Sequence, residues 1–284
     1  MIDLHTHSTA SDGTDRPAEL VAKAAAAGVS VLGLTDHDTT GGWGEALAAL
    51  RDGITLVTGT EFSCVYAGPG GERISLHLLG YLFDPEHDRL RTEMARLRAS
   101  RLGRSRAIVD NLAADGVPIA WNEVAETARG GSIGRPHIAR VLVANGVVPS
   151  VDDAFRQLLS ASSKYYVPKA DTDVFDAIAL VRAAGGLTVF AHPLARRRGA
   201  VVGEDVIAAM ARAGLDGIEI DHPDHAPEDR ARLALLAGEL GLSGIGSSDY
   251  HGTNRMIHLG MCTTSRTAYE QLRSRETARE PVTG

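Results

Sequence analysis

Short, almost wholly apolar runs alternate along this chain with stretches of helical periodicity, and that alternation constrains the fold more than any other feature. The runs cover residues 2–7, 29–35, 55–61, 74–81, 187–191, 217–220 and 243–247. Several are bounded by glycine and carry apolar side chains at successive positions, the pattern of parallel strands buried on both faces. Helical stretches at 17–27, 173–184, 204–213 and 228–240 lie between many of them. The first opens on Pro17 and stops before Gly28, the usual start and stop signals. Strand–helix alternation of this kind produces βαβ units and a parallel sheet. Seven strands with helices outside predict an α/β fold, a distorted (β/α)7 barrel, and 284 residues suffice for one such barrel with an insertion.

The rhythm breaks in the middle. A long, Arg-rich stretch from about 86 to 114 reads as helix, and residues 103–167 carry helix signals without a convincing strand. The expected organisation is a first barrel part at 1–102, a helical insertion covering the barrel mouth as a substrate cap at 103–167, and a second barrel part at 168–284. The polar tail 275–284 is expected to fray. With 44% hydrophobic residues the chain can bury a sizeable core, and a balance of 29 basic against 36 acidic residues argues against a broad, non-specific nucleic-acid surface. Cys64 and Cys262 make no CxxC pair, no apolar run reaches the length of a membrane span, and the first residues lack the basic and long apolar regions of a signal peptide. A cytoplasmic protein without a membrane or an evident protein partner is expected.

Chemistry-bearing residues concentrate where the strands end, as they do in barrel enzymes. Six of the eleven histidines fall there: His5, His7, His37, His77, His192 and His251. His5 and His7 are two apart in a strand and so share a face, which lets both imidazoles address one cation. The spacing recurs at the far end of the chain in Asp249-Tyr250-His251. Glu61 closes the third run, where an acid is costly to bury without a partner; a carboxylate bridging two cations removes that cost, and a salt bridge is the plainer alternative. Asp12 lies in the turn signal Ser11-Asp12-Gly13-Thr14, and His37 between Asp36 and Asp38 just after the second run. His77 sits inside a run that continues to Tyr81, where a satisfied core histidine is an equal alternative. Mixed imidazole and carboxylate ligands suit Mn, Fe or Zn rather than Ca. Nine such residues are too many for one ion and suffice for two or three.

Taken together, DLHTHS with DG following, LTDHDT, the G-x-E after the third run, AHP and SSDYHG resemble the PHP (polymerase and histidinol phosphatase) superfamily of metal-dependent phosphoesterases. The resemblance runs from Ile2 to about Thr263, with an insertion of the PHP type in the expected place. It is strongest to the bacterial branch that contains nucleoside 3′,5′-bisphosphate phosphatases and 5′-end RNA exonucleases, which GGSIGRPHIARVL and YYVPK also resemble. The resemblance implies three metal sites: His5, His7, Glu61 and Asp249; Glu61, His77 and His192; and Asp12, His37 and His251. It implies hydrolysis of phosphate monoesters of nucleotides, with the 5′ ends of short RNA as a further substrate, by a hydroxide held between metals. Glu61, His192 and Asp249 are the expected catalytic residues.

The expected phosphate handles lie in the insertion. Ser132-Ile133-Gly134-Arg135-Pro136-His137 reads as a glycine-rich loop entering a helix, a natural anion site, and Lys169 follows just before the barrel resumes. Ser132, Arg135, His137 and Lys169 are therefore candidate phosphate-binding residues, with solvated surface charge as the alternative. Rival readings are a histidinol-phosphate phosphatase on the same scaffold, an amidohydrolase, and a non-catalytic metal-binding PHP module. Glu61 and the Asp249/His251 pair fit an amidohydrolase less well, and a non-catalytic module usually goes with missing ligands, whereas this chain retains all nine.

Overall fold

A computed structural model describes residues 1–254 and 256–284. Every predicted run forms a strand: β1 (Ile2–Thr6), β2 (Val31–Leu34), β3 (Thr55–Ala67), β4 (Arg73–Tyr81), β6 (Leu187–Phe190), β7 (Gly217–Asp221) and β8 (Ser243–Gly246), joined by the two-residue β5 (Thr172–Asp173) and β9 (Val282–Thr283). The sheet order is β1-β2-β3-β4-β6-β7-β8, and β5 and β9 both add to β3. The sheet nearly closes on itself through the bridge between Thr6 and Tyr250 and the hydrogen bond from Thr264 N to Ile2 O. The helices are α1 (Pro17–Ala26), α2 (Trp43–Ala48), α3 (Asp88–Ala114), α4 (Trp121–Thr127), α5 (Arg135–Ala144), α6 (Val151–Ala154), α7 (Val174–Ala183), α8 (Glu204–Arg212), α9 (Pro227–Leu240) and α10 (Arg266–Arg273).

The barrel departs from an all-parallel sheet at β4, which runs antiparallel to both β3 and β6. The cause is local. Only five residues separate β3 from β4, with Gly68 N bonded to Glu72 O and Gly71 in the left-handed region at φ 86°. A connection that short can make a hairpin but not a crossover helix. The hairpin also carries β3 six residues past Glu61, so Glu61 and His77 lie within long strands rather than at strand ends, where Ser63 pairs with His77 and Glu61 with Leu79.

Two layers of side chains fill the interior. The lower one is apolar and holds Ile2, Leu4, Val31, Val57, Leu79, Tyr81, Val189 and Ile245. The upper one is polar. Along β3 a strict alternation puts Val57 below and Glu61 above on one face, while Leu56, Phe62 and Cys64 turn outward into the core beneath the helices. In β1 alternation alone would send the histidines the wrong way, because Ile2 and Leu4 already point inward. A register shift between Asp3 and Thr6 corrects this: Asp3 pairs with Leu32 but Thr6 with Leu34, so β1 gains one residue. Such a bulge re-aims the side chains that follow it, and His5 and His7 join the interior above Leu4.

Residues of the insertion have their own core, in which Ile108, Val109 and Leu112 of α3 meet Val124, Ile138, Leu142 and Leu159. The other half of α3 packs Leu90, Met94 and Leu97 into the main core. This helix therefore runs unbroken across residues 102 and 103. The tail does not fray as expected. Ala278 N bonds to Gly185 O, Arg279 N to Leu82 O and Gly284 N to Ile54 O, and β9 pairs with β3. These backbone bonds give a polar segment an ordered path that its side chains do not announce. No helix among the described residues is long and apolar enough to cross a membrane.

Candidate metal centre

Glu61 is the hub of the upper layer. Its Oε2 lies 3.2 Å from His5 Nε2, 3.1 Å from His7 Nε2 and 3.1 Å from His37 Nδ1. Its Oε1 lies 2.7 Å from His77 Nδ1 and 3.0 Å from His192 Nε2. Burial pushes this carboxyl up, but His77, His37 and His5 outweigh it and hold Glu61 well below the usual carboxylate range. Asp249 Oδ1 stands 3.3 Å from both His5 Nε2 and His7 Nε2. Asp12 reaches His251 Nε2 at 3.4 Å and His37 Nε2 at 3.6 Å. All of these residues except His77 are buried.

The donor set fits metal ions. His5 Nε2 and His7 Nε2 are 3.1 Å apart with two carboxylate oxygens beside them. Two ligands about 2.0–2.1 Å from a tetrahedral cation stand roughly 3.3 Å apart, so a cation between them satisfies every atom at once. Three groups of converging donors form: His5, His7, Glu61 and Asp249; His7, Asp12, His37 and His251; and His37, Glu61 and His77. The first is the set expected from sequence, and the second is the expected Asp12, His37, His251 set joined by His7. The third takes His37 where His192 was expected; His192 stands beside it, 3.4 Å from His77 Nδ1.

Local backbone devices hold these residues. The loop that presents Asp12 is tied to Asp36, which accepts from Ser8 N at 2.8 Å, Ser8 Oγ at 2.6 Å and Ser11 Oγ at 2.6 Å. Gly13 is required there, since a Cβ would sit 2.4 Å from His7 O. Asp38, His192 and Asp249 all have positive φ, at 56°, 31° and 53°. Non-glycine residues in that region cost roughly 1–3 kcal/mol each and persist where surroundings over-determine them, commonly at functional sites.

Several residues of the site were not anticipated. Glu219, fully buried in β7, accepts from His5 Nδ1 at 2.9 Å through Oε1 and from His192 N at 2.6 Å through Oε2, and also bonds Ser247 Oγ. It sets the His5 tautomer so that Nε2 faces Glu61. Its signal was available, an acid inside the apolar run 217–220, by the same burial argument applied to Glu61. Arg198 donates to Asp249 Oδ2 at 2.6 Å and to Asp224 Oδ2 at 2.7 Å, and His222 Nε2 lies 3.5 Å from Asp249 Oδ2. Arg101, buried on α3, pairs with Asp38 at 2.6 Å and with Ser63 Oγ at 2.7 Å. Nothing in their sequence context distinguishes these arginines from their exposed neighbours. Outer partners of metal ligands typically change metal affinity or activity by about 10–100-fold when altered. Glu219→Gln is therefore expected to weaken metal binding by about that factor with an unchanged circular dichroism spectrum. Titration against a chromogenic chelator measures it, and wild-type affinity in this variant removes the orienting role.

The four expected phosphate handles separate. Arg135 opens α5 and donates Nη1 to Leu159 O at 2.8 Å with its guanidinium 5.4 Å from the Phe155 ring centre. Burial first, then Arg104 and Arg101, push its pKa down to about 10. Ser132 Oγ is buried without a hydrogen-bond partner. His137, by contrast, is buried, and its Nδ1 accepts from Gly134 N at 3.1 Å. Burial, then Arg140, push its pKa down to about 4. It is a neutral clasp at the start of α5 and not the cation a phosphate would seek. Lys169 is almost enclosed and paired with Asp171, with its pKa pushed down to about 8 by burial and then Arg101.

An enclosed imidazole–carboxylate cluster in the mouth of an α/β barrel defines a metal-dependent hydrolase. The PHP domain matches residues 3–112. A 5′-3′ exoribonuclease of Haemophilus influenzae is 37% identical over 91% of this chain and 92% of its own length. A 3′,5′-nucleoside bisphosphate phosphatase of Chromobacterium violaceum is 35% identical over 88% of this chain and 87% of its own. The crystal structure of a protein predicted to be a metal-dependent phosphoesterase from Bifidobacterium adolescentis superposes with a TM-score of 0.88 and 36% identity, covering 96% of this chain and 95% of that one. The chain belongs to the PHP family and is a metal-dependent phosphoesterase.

Proposed function

We propose that the chain hydrolyses a phosphate ester of a nucleotide that carries a second phosphate, as in a nucleoside 3′,5′-bisphosphate or the 5′-phosphorylated end of short RNA. The observation that carries this reading is the pair Arg104 and Arg135. Both are largely buried, yet neither has a carboxylate partner among the described residues: Arg104 Nε donates to Val167 O at 2.9 Å and its guanidinium lies 5.3 Å from the Tyr166 ring centre. They flank Arg101, whose Nη1 comes within 3.4 Å of a Cβ built on Gly134, a position itself 3.9 Å from Asp12 Oδ2. Two guanidiniums without a carboxylate partner, and the unpartnered Ser132 Oγ on the loop that enters α5, are the groups an anion would meet there. The activities of the two relatives support the reading, since both substrates carry a phosphate besides the one attacked.

Two to three divalent ions, Mn, Fe or Zn, are proposed for the three donor groups. When bound, they supply positive charge to the phosphate oxygens and lower the pKa of water. The chain's own residues do the rest. Glu61 binds two groups of donors at once. Asp249 is oriented by Arg198 and His222, so that Oδ1 faces His5 and His7. His192 stands at Glu61 Oε1 with its pKa pushed down to about 3 by burial and then Arg198, which suits a neutral ligand. Residues 103–167 act as the substrate cap over the barrel parts 1–102 and 168–284. The buried free thiols Cys64 and Cys262 fit a cytoplasmic location.

Arg135→Ala is expected to lower kcat/KM on a nucleoside 3′,5′-bisphosphate about 10–100-fold, the worth of one charge-assisted contact of roughly 1.5–3 kcal/mol. An aryl phosphate, which lacks the second anion, should lose much less with the manganese-loaded enzyme. Equal losses on both substrates move Arg135 to the reacting phosphate. No loss on either removes it from the site.

A further inference from the structure

A cleft lies along the face of α5 that carries Arg140, Val141 and Ala144. It has a volume of about 650 Å³ and runs between the insertion and the barrel loops. Its barrel wall is Thr9, Thr14 and Thr253, which in sequence flank Asp12 and follow His251, two members of the second donor group. Its insertion wall carries Arg129 and Arg140. Arg135 and Arg140 are five residues apart on one helix, about 140° round its axis at roughly 100° per residue, so they serve different sides of it. Arg140 Nε is buried and has no hydrogen-bond partner, and neither Arg140 nor Arg129 has an ion pair among the described residues. Of the acids in the same wall, Glu123 is engaged by Ala120 N at 2.7 Å and Asn145 Nδ2 at 3.2 Å, while Glu126 is exposed.

Resting on the bisphosphate reading above, we propose that this cleft is the subsite for the nucleotide that follows the scissile phosphate in an RNA chain. The first nucleotide's 5′-phosphate occupies the Arg104/Arg135 side, the phosphate on its 3′ oxygen lies over the donor groups, and the second nucleotide passes Asp12 into the cleft. A bisphosphate fills only the first two places. Arg140 and Arg129 meet the next phosphate, while Glu126 and the threonines offer acceptors to ribose hydroxyls, a combination suited to a ribonucleotide and not to a bare polyanion. In the reaction water adds to phosphorus, the P–O3′ bond breaks, and the 3′ oxygen leaves with a proton. The products are a nucleoside 5′-monophosphate and an RNA shortened by one, which keeps the phosphate as its new 5′ end and is again a substrate.

The test compares a 5′-phosphorylated pentaribonucleotide with a nucleoside 3′,5′-bisphosphate on manganese-loaded protein. Arg140→Ala, and separately the exposed Arg129→Glu, are expected to lower the ratio of kcat/KM on RNA to kcat/KM on bisphosphate by about tenfold or more, the worth of a charge-assisted contact. Fluorescence anisotropy with a cleavage-resistant phosphorothioate pentanucleotide supplies a second readout. The slope of log Kd against log salt should become shallower by about 0.7 for each phosphate that the variant leaves unneutralised. An unchanged ratio and slope in both variants overturn the cleft assignment. Wild-type turnover of bisphosphate without turnover of RNA overturns the inference and leaves the bisphosphate reading standing; failure on both substrates removes both.

Discussion

Glu61→Gln is expected to lower turnover at least about a thousandfold while the protein stays folded. The amide keeps the shape of the carboxylate but loses its charge and one of its two acceptor oxygens. In the structure those oxygens face five imidazoles, from His5, His7 and His37 on one side and His77 and His192 on the other. His7 and His37 also belong to two donor groups each, but among the described residues Glu61 is the one carboxylate that does so, and under the proposed reading its loss separates the cations those groups would hold. Several kcal/mol of transition-state charge stabilisation depend on those cations, and each 1.36 kcal/mol is about tenfold in rate. The outward-facing core around β3 does not touch Glu61's charge, so circular dichroism and thermal unfolding should show a native protein. Near-normal kcat in a folded Glu61→Gln would end the bridging assignment.

Removing the metal should abolish activity and reverse the pH dependence of stability. Elemental analysis of protein purified without chelator is expected to find two to three divalent ions per chain, and one or none, with no gain on Mn or Zn reconstitution, counts against the cluster. In metal-free protein His7 feels burial, which lowers its pKa, but hydrogen bonds to Asp249 and Glu61 prevail and raise it from 6.5 to about 9. A group whose folded pKa is raised contributes stability that is full below its unfolded value and lost as pH rises through its folded value. The metal-free protein should therefore lose melting temperature between pH 6.5 and 9. The loaded protein requires neutral His7, so its metal affinity grows across the same window as protons cease to compete. Differential scanning fluorimetry with EDTA and with manganese should show the gap in Tm widening from pH 6.5 to 9. A gap that narrows with pH would show that His7 is not a ligand.

How much of the site was legible follows from which residues carry their own signal. His5-Thr6-His7, Asp249-Tyr250-His251 and Glu61 stand out because ionisable groups at the ends of apolar runs have no inexpensive structural use. Glu219 carries the same signal within 217–220, with His222 three residues on, and is legible by the same burial argument. Arg101 and Arg198 were not legible. Each belongs to an arginine-rich stretch whose members differ only in what they fold against. His137 and Lys169 have the charge type expected of a phosphate site, yet burial makes one a neutral helix clasp and gives the other to Asp171.

The alternation of apolar runs and helices determined the barrel, and the spacing of histidines and carboxylates along it determined the chemistry, because both are periodic properties that a strand or helix transmits directly to one face. Three matters were decided only by tertiary structure. The direction of β4 follows from a five-residue connection that cannot cross the sheet. The inward aim of His5 and His7 follows from a one-residue register shift against β2, which no pattern within β1 announces. The division of the insertion's cations between two sides of α5 follows from where that helix packs on the Asp12 loop. The turn after β3 is local, but where β3 ends is fixed by its pairing with β4; register and packing angle are relations between segments distant in sequence, and the free energy that selects among them is gained only when those segments meet.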